Sequence, residues 1–256
     1  MAEGSSDYKK FEQEALRIVN AANEKGLSMR LLGALAFKFH CPTFGYVQEA
    51  LGRKYTDIDF GAYVEEGAKI KAVLESLGYK GDDEVNIFFG DTRLIFDNPQ
   101  NGIHVDVFFT KLDFCHEVPW VGRLGYDSPT LPLAELLLEK TQIVQINEKD
   151  IIDLIMLLLE HELGDHDKET INMRRICSLC CADWGLWRTT TMNLQKVNVM
   201  LQKYENLTSE NKHVVQQKMS KIFEILESEP KSFRWKLRNM VGDRMKWYKE
   251  VDEVKM

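Results

Sequence analysis

Asp57 and Asp59, in Tyr-Thr-Asp-Ile-Asp-Phe, and Asp106, in His-Val-Asp-Val-Phe-Phe, are the residues of this chain best suited to chemistry. In an extended strand alternate side chains share a face, so Asp57 and Asp59 point one way while Ile58 and Phe60 point into a core. The second segment repeats the alternation, with Val105 and Val107 opposite Asp106. If the two strands lie side by side, three carboxylates gather on one patch. Carboxylates so close repel unless a hard cation neutralises them, and Mg²⁺ or Mn²⁺ shared with phosphate oxygens is the usual answer. The chemistry implied is metal-assisted phosphoryl or nucleotidyl transfer. The bland alternative is a set of solvated residues at strand ends, which the flanking Ile58, Phe60, Val105 and Val107 fit poorly.

The elements that must position these residues follow from periodicity. Phe11, Ala15, Ile18 and Val19 predict a helix over Tyr8–Glu24, closed at Gly26. Leu27–Leu32 reads as a strand running into Gly33, and Ala34–Phe39 as a second helix stopped near Pro42. The stretch Pro42–Tyr55, with Pro, two Gly and mixed charge, reads as a mobile excursion. Asp57–Val64 is a strand, and Ala68–Leu77 a helix ended by Gly78. Val85–Phe89 and Thr92–Phe96 read as two strands joined by a Gly90-Asp91 hairpin. Asn98–Gly102 is a turn and Ile103–Phe109 the next strand. The order implies an α+β domain with a mixed sheet and flanking helices.

After Pro132 the pattern predicts helices alone: 133–144, 148–160, 168–183, 189–204, 210–226 and 232–251, with Asp167, Thr208 or Ser209, and Ser232 as N-caps. The boundary falls near Tyr126–Pro132, giving a first domain over 1–127 and a helical domain over 128–256.

With 256 residues the chain has ample length for a core. A net charge of −7 argues against a protein that coats nucleic acid non-specifically, yet leaves room for a local basic groove. Five scattered cysteines suit reduced thiols, the first residues lack a signal-peptide pattern, and no apolar run is long enough for a bilayer. A cytoplasmic location is the resulting expectation.

Leu32-Gly33-Ala34 before a helix, Asp57-Ile58-Asp59 on the next strand and Val105-Asp106-Val107 on a later one resemble the nucleotidyltransferase fold of DNA polymerase β type. Leu133–Gln142 with Lys140, then Asn147-Glu-Lys149-Asp150-Ile-Ile-Asp153, is similar to the helical segment of bacterial and archaeal members, including relatives of abortive-infection toxins. The resemblance covers roughly 29–159. It implies that Asp57, Asp59 and Asp106 are catalytic and hold Mg²⁺ or Mn²⁺, with Asp106 the general base. It implies nucleoside triphosphate (ATP among the candidates) cradled by Gly33 and Ala34, with Lys140 steering phosphate. The implied reaction moves a nucleoside monophosphate to an acceptor hydroxyl on RNA (tRNA included), protein or a small molecule such as an aminoglycoside, releasing pyrophosphate. An antitoxin-like protein partner or a homodimer suits the same resemblance. The family's second Gly or Ser is Ala34 here, and the Pro42–Tyr55 excursion is longer than in compact members. Those departures suit the alternative of an inactive nucleotide-binding module.

Other residues carry two readings. His104 shares a face with Asp106 and is a substrate contact or a structural histidine. Lys140 and Lys149 are phosphate ligands or members of surface ion pairs. Arg93, Lys38 and Arg53 are further candidate phosphate contacts. Cys177, Cys180 and Cys181 lack a second ligand pair for zinc and fit a packed helix. Trp184, Leu186 and Trp187 look like core between helices rather than a base-stacking platform. Lys231, Arg234, Lys236, Arg238, Arg244 and Lys246, with Phe233, Trp235 and Leu237 between them, form either a polyanion groove or a solvated helix face.

Overall fold

The computed structural model describes residues 3–50 and 53–251; positions 51 and 52 of the expected excursion lie outside the described residues. The chain divides into two compact units. The first comprises Met1–Leu112 and Pro119–Pro132, and the second Asp113–Val118 and Leu133–Met256.

The first unit runs α1 (Glu3–Glu24), β1 (Arg30–Leu32), α2 (Gly33–His40), α3 (Tyr46–Ala50), β2 (Asp57–Ala62), α4 (Gly67–Ser76), β3 (Lys80–Gly81), α5 (Asp83–Phe89), β4 (Arg93–Asp97) and β5 (His104–Phe109). Its strands form one mixed sheet in the order β1-β2-β5-β4-β3. Only β2 and β5 are parallel; the other pairs are antiparallel. One face carries Ile58, Phe60, Val105 and Val107, all fully buried. Ala15, Ile18 and Ala22 recur on one stripe of α1, and Ile70 and Leu74 on one of α4, so both helices bury an apolar side. The opposite face of β2 and β5 is left for Asp57, Asp59 and Asp106.

Two expectations need correction here. Part of the excursion is ordered as α3, where Gln48 is buried and accepts a hydrogen bond from the Tyr55 hydroxyl at 2.6 Å. Val85–Phe89 is helical, not a strand. Asp82 Oδ1 accepts the Val85 N–H at 2.9 Å, an N-cap that starts α5. Ile87, Phe88 and Phe89 are each at least 60% exposed, so no core face holds that stretch in an extended register. The segment leads into β4 from a helix rather than through a hairpin.

β6 (Lys111–Asp113) and β7 (Glu117–Pro119) straddle the unit boundaries on either side of the second unit's Asp113–Val118 segment, which carries His116. Then come α6 (Leu133–Thr141), α7 (Glu148–Glu160), β8 (Glu162–Gly164), β9 (Thr170–Asn172), α8 (Met173–Cys180), α9 (Trp184–Leu201), α10 (Ser209–Ser228) and α11 (Phe233–Val241). All nine residues of α6 are buried, which makes it the central helix, packed by α7, α8 and α9. Truncating a leucine there, such as Leu137, would cost about 2–5 kcal/mol. The region is not wholly helical: β8 and β9 pair in parallel through Leu163 and Ile171. Their pairing displaces the start of α8 to Met173, so Asn172 rather than Asp167 caps it, accepting the Arg175 N–H at 3.2 Å. Thr208 and Ser232 are caps as expected. Among the described residues no helix is long and apolar enough to cross a membrane.

Candidate active site

The parallel pairing of β2 with β5 sets the geometry. Asp57 is the register partner of His104, and Asp59 the partner of Asp106. Adjacent strands lie about 4.8 Å apart, so Asp59 and Asp106 stand side by side on one face, with Asp57 two residues along. Exposure falls along the row: Asp57 is exposed, Asp59 half-buried and Asp106 buried. The turn after β1 closes the same site. Gly33 begins α2 with φ +70°, a left-handed conformation that L side chains rarely adopt. A Cβ at Gly33 would overlap the Asp59 carboxylate, so the glycine makes room for that side chain. Ala34, half-buried, is the next residue of the first turn of α2, where backbone N–H groups face outward and favour anions.

The antiparallel pairing of β4 with β5 brings further residues to this face. Ile95 is the partner of Asp106 and Asp97 that of His104, so Arg93, Ile95 and Asp97 share the carboxylate face. Arg93 reaches diagonally to Asp106 in a bidentate pair, Nε to Oδ1 at 2.8 Å and Nη2 to Oδ2 at 2.7 Å. Its guanidinium also lies 5.1 Å from the Phe108 ring centre. Arg93 was expected as a phosphate contact; here it neutralises the third carboxylate.

Burial alone would raise the Asp106 carboxyl, but His104 and Arg93 outweigh it and hold it below the usual carboxylate range. Asp106 Oδ2 stands 3.6 Å from His104 Nε2, and Asp97 Oδ1 bonds Nδ1 at 2.9 Å. Those two carboxylates, Asp106 foremost, push the imidazole up to about 9 against the opposing effect of burial. His104 therefore carries a positive charge at neutral pH. Its role here is electrostatic, beside the carboxylates.

The donor chemistry fits a hard divalent cation at Asp57 and Asp59, whose oxygens are what Mg²⁺ selects. Asp106 fits only with Arg93 displaced, because the guanidinium engages both of its oxygens.

The remaining expected residues have contacts of their own. Lys140 lies in the second unit, on α6. Its ammonium stands 3.1 Å from Asp150, 3.2 Å from Glu139 and 3.5 Å from Asp153. Burial disfavours that charge, but the three carboxylates prevail and raise its pKa. It is the hub of an internal charge cluster rather than a member of a surface pair. Lys149 is exposed in the first turn of α7. Lys38 pairs with Glu49 at 2.7 Å and lies over the Tyr8 ring, while Arg53 is half-buried. The five cysteines are free thiols. Burial pushes Cys177 up to about 11 and Cys180 higher still, so both remain protonated packing groups.

No family model matches the chain, and no curated protein does. Among solved structures, the solution structure of the antibiotic-resistance factor ANT(2'')-Ia, described as revealing substrate-regulated conformation dynamics, superposes with a TM-score of 0.41 at 15% identity. That match covers 58% of this chain and 83% of the other.

Proposed function

We propose that the first unit carries out metal-dependent nucleotidyl transfer, moving a nucleoside monophosphate from a nucleoside triphosphate to an acceptor hydroxyl. The observation that carries this reading is the register of β2 and β5, with Asp59 beside Asp106 and Asp57 on the same face. Asp57 and Asp59 would hold Mg²⁺ or Mn²⁺, which neutralises triphosphate charge and acidifies a hydroxyl when bound. The N–H groups at the start of α2, at Gly33 and Ala34, bind phosphate oxygens. An incoming polyphosphate competes with Asp106 for the Arg93 guanidinium, since Arg pairs with phosphate as well as with carboxylate. Asp106, once released, takes the proton of the acceptor hydroxyl. In this reading residues 1–127 hold the catalytic groups, and the helical region over 128–256 selects RNA, protein or small-molecule acceptor.

A second reading is supported by the Arg93–Asp106 pair itself: a nucleotide-binding module in which the third carboxylate stays neutralised and no transfer occurs. One experiment separates the two. Calorimetric titration with Mg²⁺ and each nucleoside triphosphate is paired with a pyrophosphate-release assay on RNA, protein extract and aminoglycosides. Transfer predicts binding lost in Asp57→Ala and Asp59→Ala, with pyrophosphate released by the unaltered chain. Binding without release, in both the unaltered chain and Arg93→Ala, overturns it in favour of the second reading. Binding that survives both aspartate substitutions overturns the site.

A further inference from the structure

We infer that the second unit carries a binding site for a single-stranded polynucleotide, in a cavity of about 440 Å³ bounded by the start of α9, by α11 and by the chain after it. Its walls are Trp184, Trp235 and Trp247, with Arg234, Arg238 and Asp183 at the rim. Each indole is fixed by its own hydrogen bond. Trp184 Nε1 donates to Asn239 at 2.7 Å, Trp235 Nε1 to the Cys180 carbonyl at 3.1 Å and Trp247 Nε1 to Thr189 Oγ1 at 3.0 Å. Trp184 and Trp235 are buried, so they set the shape of the cavity, and Trp184 is core as the sequence suggests. Trp247 is only half-buried and stands edge-on to Trp184, their ring centres 6.1 Å apart. The Arg188 guanidinium lies over its ring, 5.8 Å from the ring centre, and the fixed indole is the surface against which a planar ring stacks without the indole having to be reoriented.

The charges around the cavity decide the sign of the ligand. Arg188 is paired with Asp243, Lys249 with Asp113 and Glu117, and Lys246 with Glu250. Lys231 donates to the Leu226 and Glu227 carbonyls at the end of α10. Arg238 lies 4.2 Å from the Trp184 ring centre and donates to the Gly242 and Met245 carbonyls. Among the described residues, Arg234, Lys236 and Arg244 have no carboxylate partner. Among the described residues the acid lining the cavity is Asp183, which accepts the Gly185 and Leu186 N–H groups as the α9 N-cap, offsetting its charge locally.

Arg234 in the cavity lining with a fixed indole, and Lys236 and Arg244 further along α11 and the turn that follows, match the alternation of phosphate and base in an unpaired strand. A quaternary ammonium, the other common guest of tryptophan cages, is repelled by two guanidinia at the rim. A duplex hides its bases and offers nothing to stack. On a chain with a net charge of −7 this patch acts locally, so binding depends strongly on salt.

The test is titration of the full chain with fluorescein-labelled oligouridylate and oligothymidylate, each against a duplex of equal length, at several salt concentrations. The expected result is saturable single-strand binding that quenches tryptophan emission. Arg234→Glu with Lys236→Glu should weaken it by about tenfold or more and reduce the salt slope. Trp247→Leu should weaken it by a similar factor while leaving the salt slope in place. Far-ultraviolet circular dichroism and the urea midpoint check that each variant is folded. Asp57→Ala should bind as the unaltered chain does, which separates this site from the carboxylate site. Tighter binding to duplex, no binding by either strand, or equal binding by the Arg234/Lys236 double variant overturns the inference. If Trp247→Leu misfolds, the charge-reversal variant on exposed positions still decides it.

Discussion

The two units treat buried charge in opposite ways. In the first, Asp106 is a single carboxylate served by two cations, Arg93 and His104, on a sheet face that grades outward to the exposed Asp57. In the second, Lys140 is a single cation enclosed by three carboxylates inside the bundle. The histidines repeat the contrast. His104 is held charged by Asp106 and Asp97, while burial depresses His116, whose Nε2 meets only a hydroxyl, Thr189 Oγ1, at 2.8 Å. The lesson is that a charge cluster closed on all sides serves the fold, whereas one graded to solvent can exchange partners with a ligand.

The hardest way to break that contrast is Lys140→Met. It removes the ammonium that Glu139, Asp150 and Asp153 share and should cost about 3–5 kcal/mol, read as a lower urea midpoint. Arg93→Met removes only one of two cations at a partly open site. A loss of about 2 kcal/mol is expected, with Mg²⁺ affinity raised because Asp106 is freed. A loss equal to that of Lys140→Met, with unchanged Mg²⁺ affinity, would make the first cluster structural too.

The smallest effect is the most diagnostic, because it has opposite signs in the two units. His104 has a folded pKa raised above its unfolded value. Its stabilisation is therefore complete below about 6.5 and lost as pH rises through about 9. His116 has a folded pKa below its unfolded value. Its contribution is complete above about 6.5 and lost as pH falls below that. Hydrogen exchange, corrected for intrinsic rates, should show first-unit amides weakening on the alkaline side and second-unit amides on the acid side. His104→Gln should flatten the first limb and His116→Gln the second; limbs unaffected by these substitutions would refute the assignment.

Much of this was legible in the sequence because alternation is a local property. Asp57, Asp59 and Asp106 fall on one face whatever the strand order, and α7 begins and ends at Glu148 and Glu160 as its periodicity predicts. What stayed hidden depends on pairing between distant strands. Arg93 meets Asp106 only because β4 runs antiparallel to β5 in a particular register, and no spacing within either segment encodes it. The surface-pair reading of Lys140 fails for a related reason. A lysine among acids looks solvated in sequence, and only the packing of α6 by its neighbours reveals that all nine of its residues are buried. The Val85–Phe89 strand failed because its apolar residues were assumed to seek a core, and they face solvent.

Gly33 carries a consequence for inheritance rather than for energy. The atom it lacks is the one that would occupy the place of the Asp59 carboxylate. Any side chain introduced there disturbs the turn that opens α2 and displaces the Asp59 carboxylate in the same event, which under the proposed function are the phosphate-facing and metal-holding groups. The turn and the carboxylate thus form one mutational target, disturbed together by a single codon change.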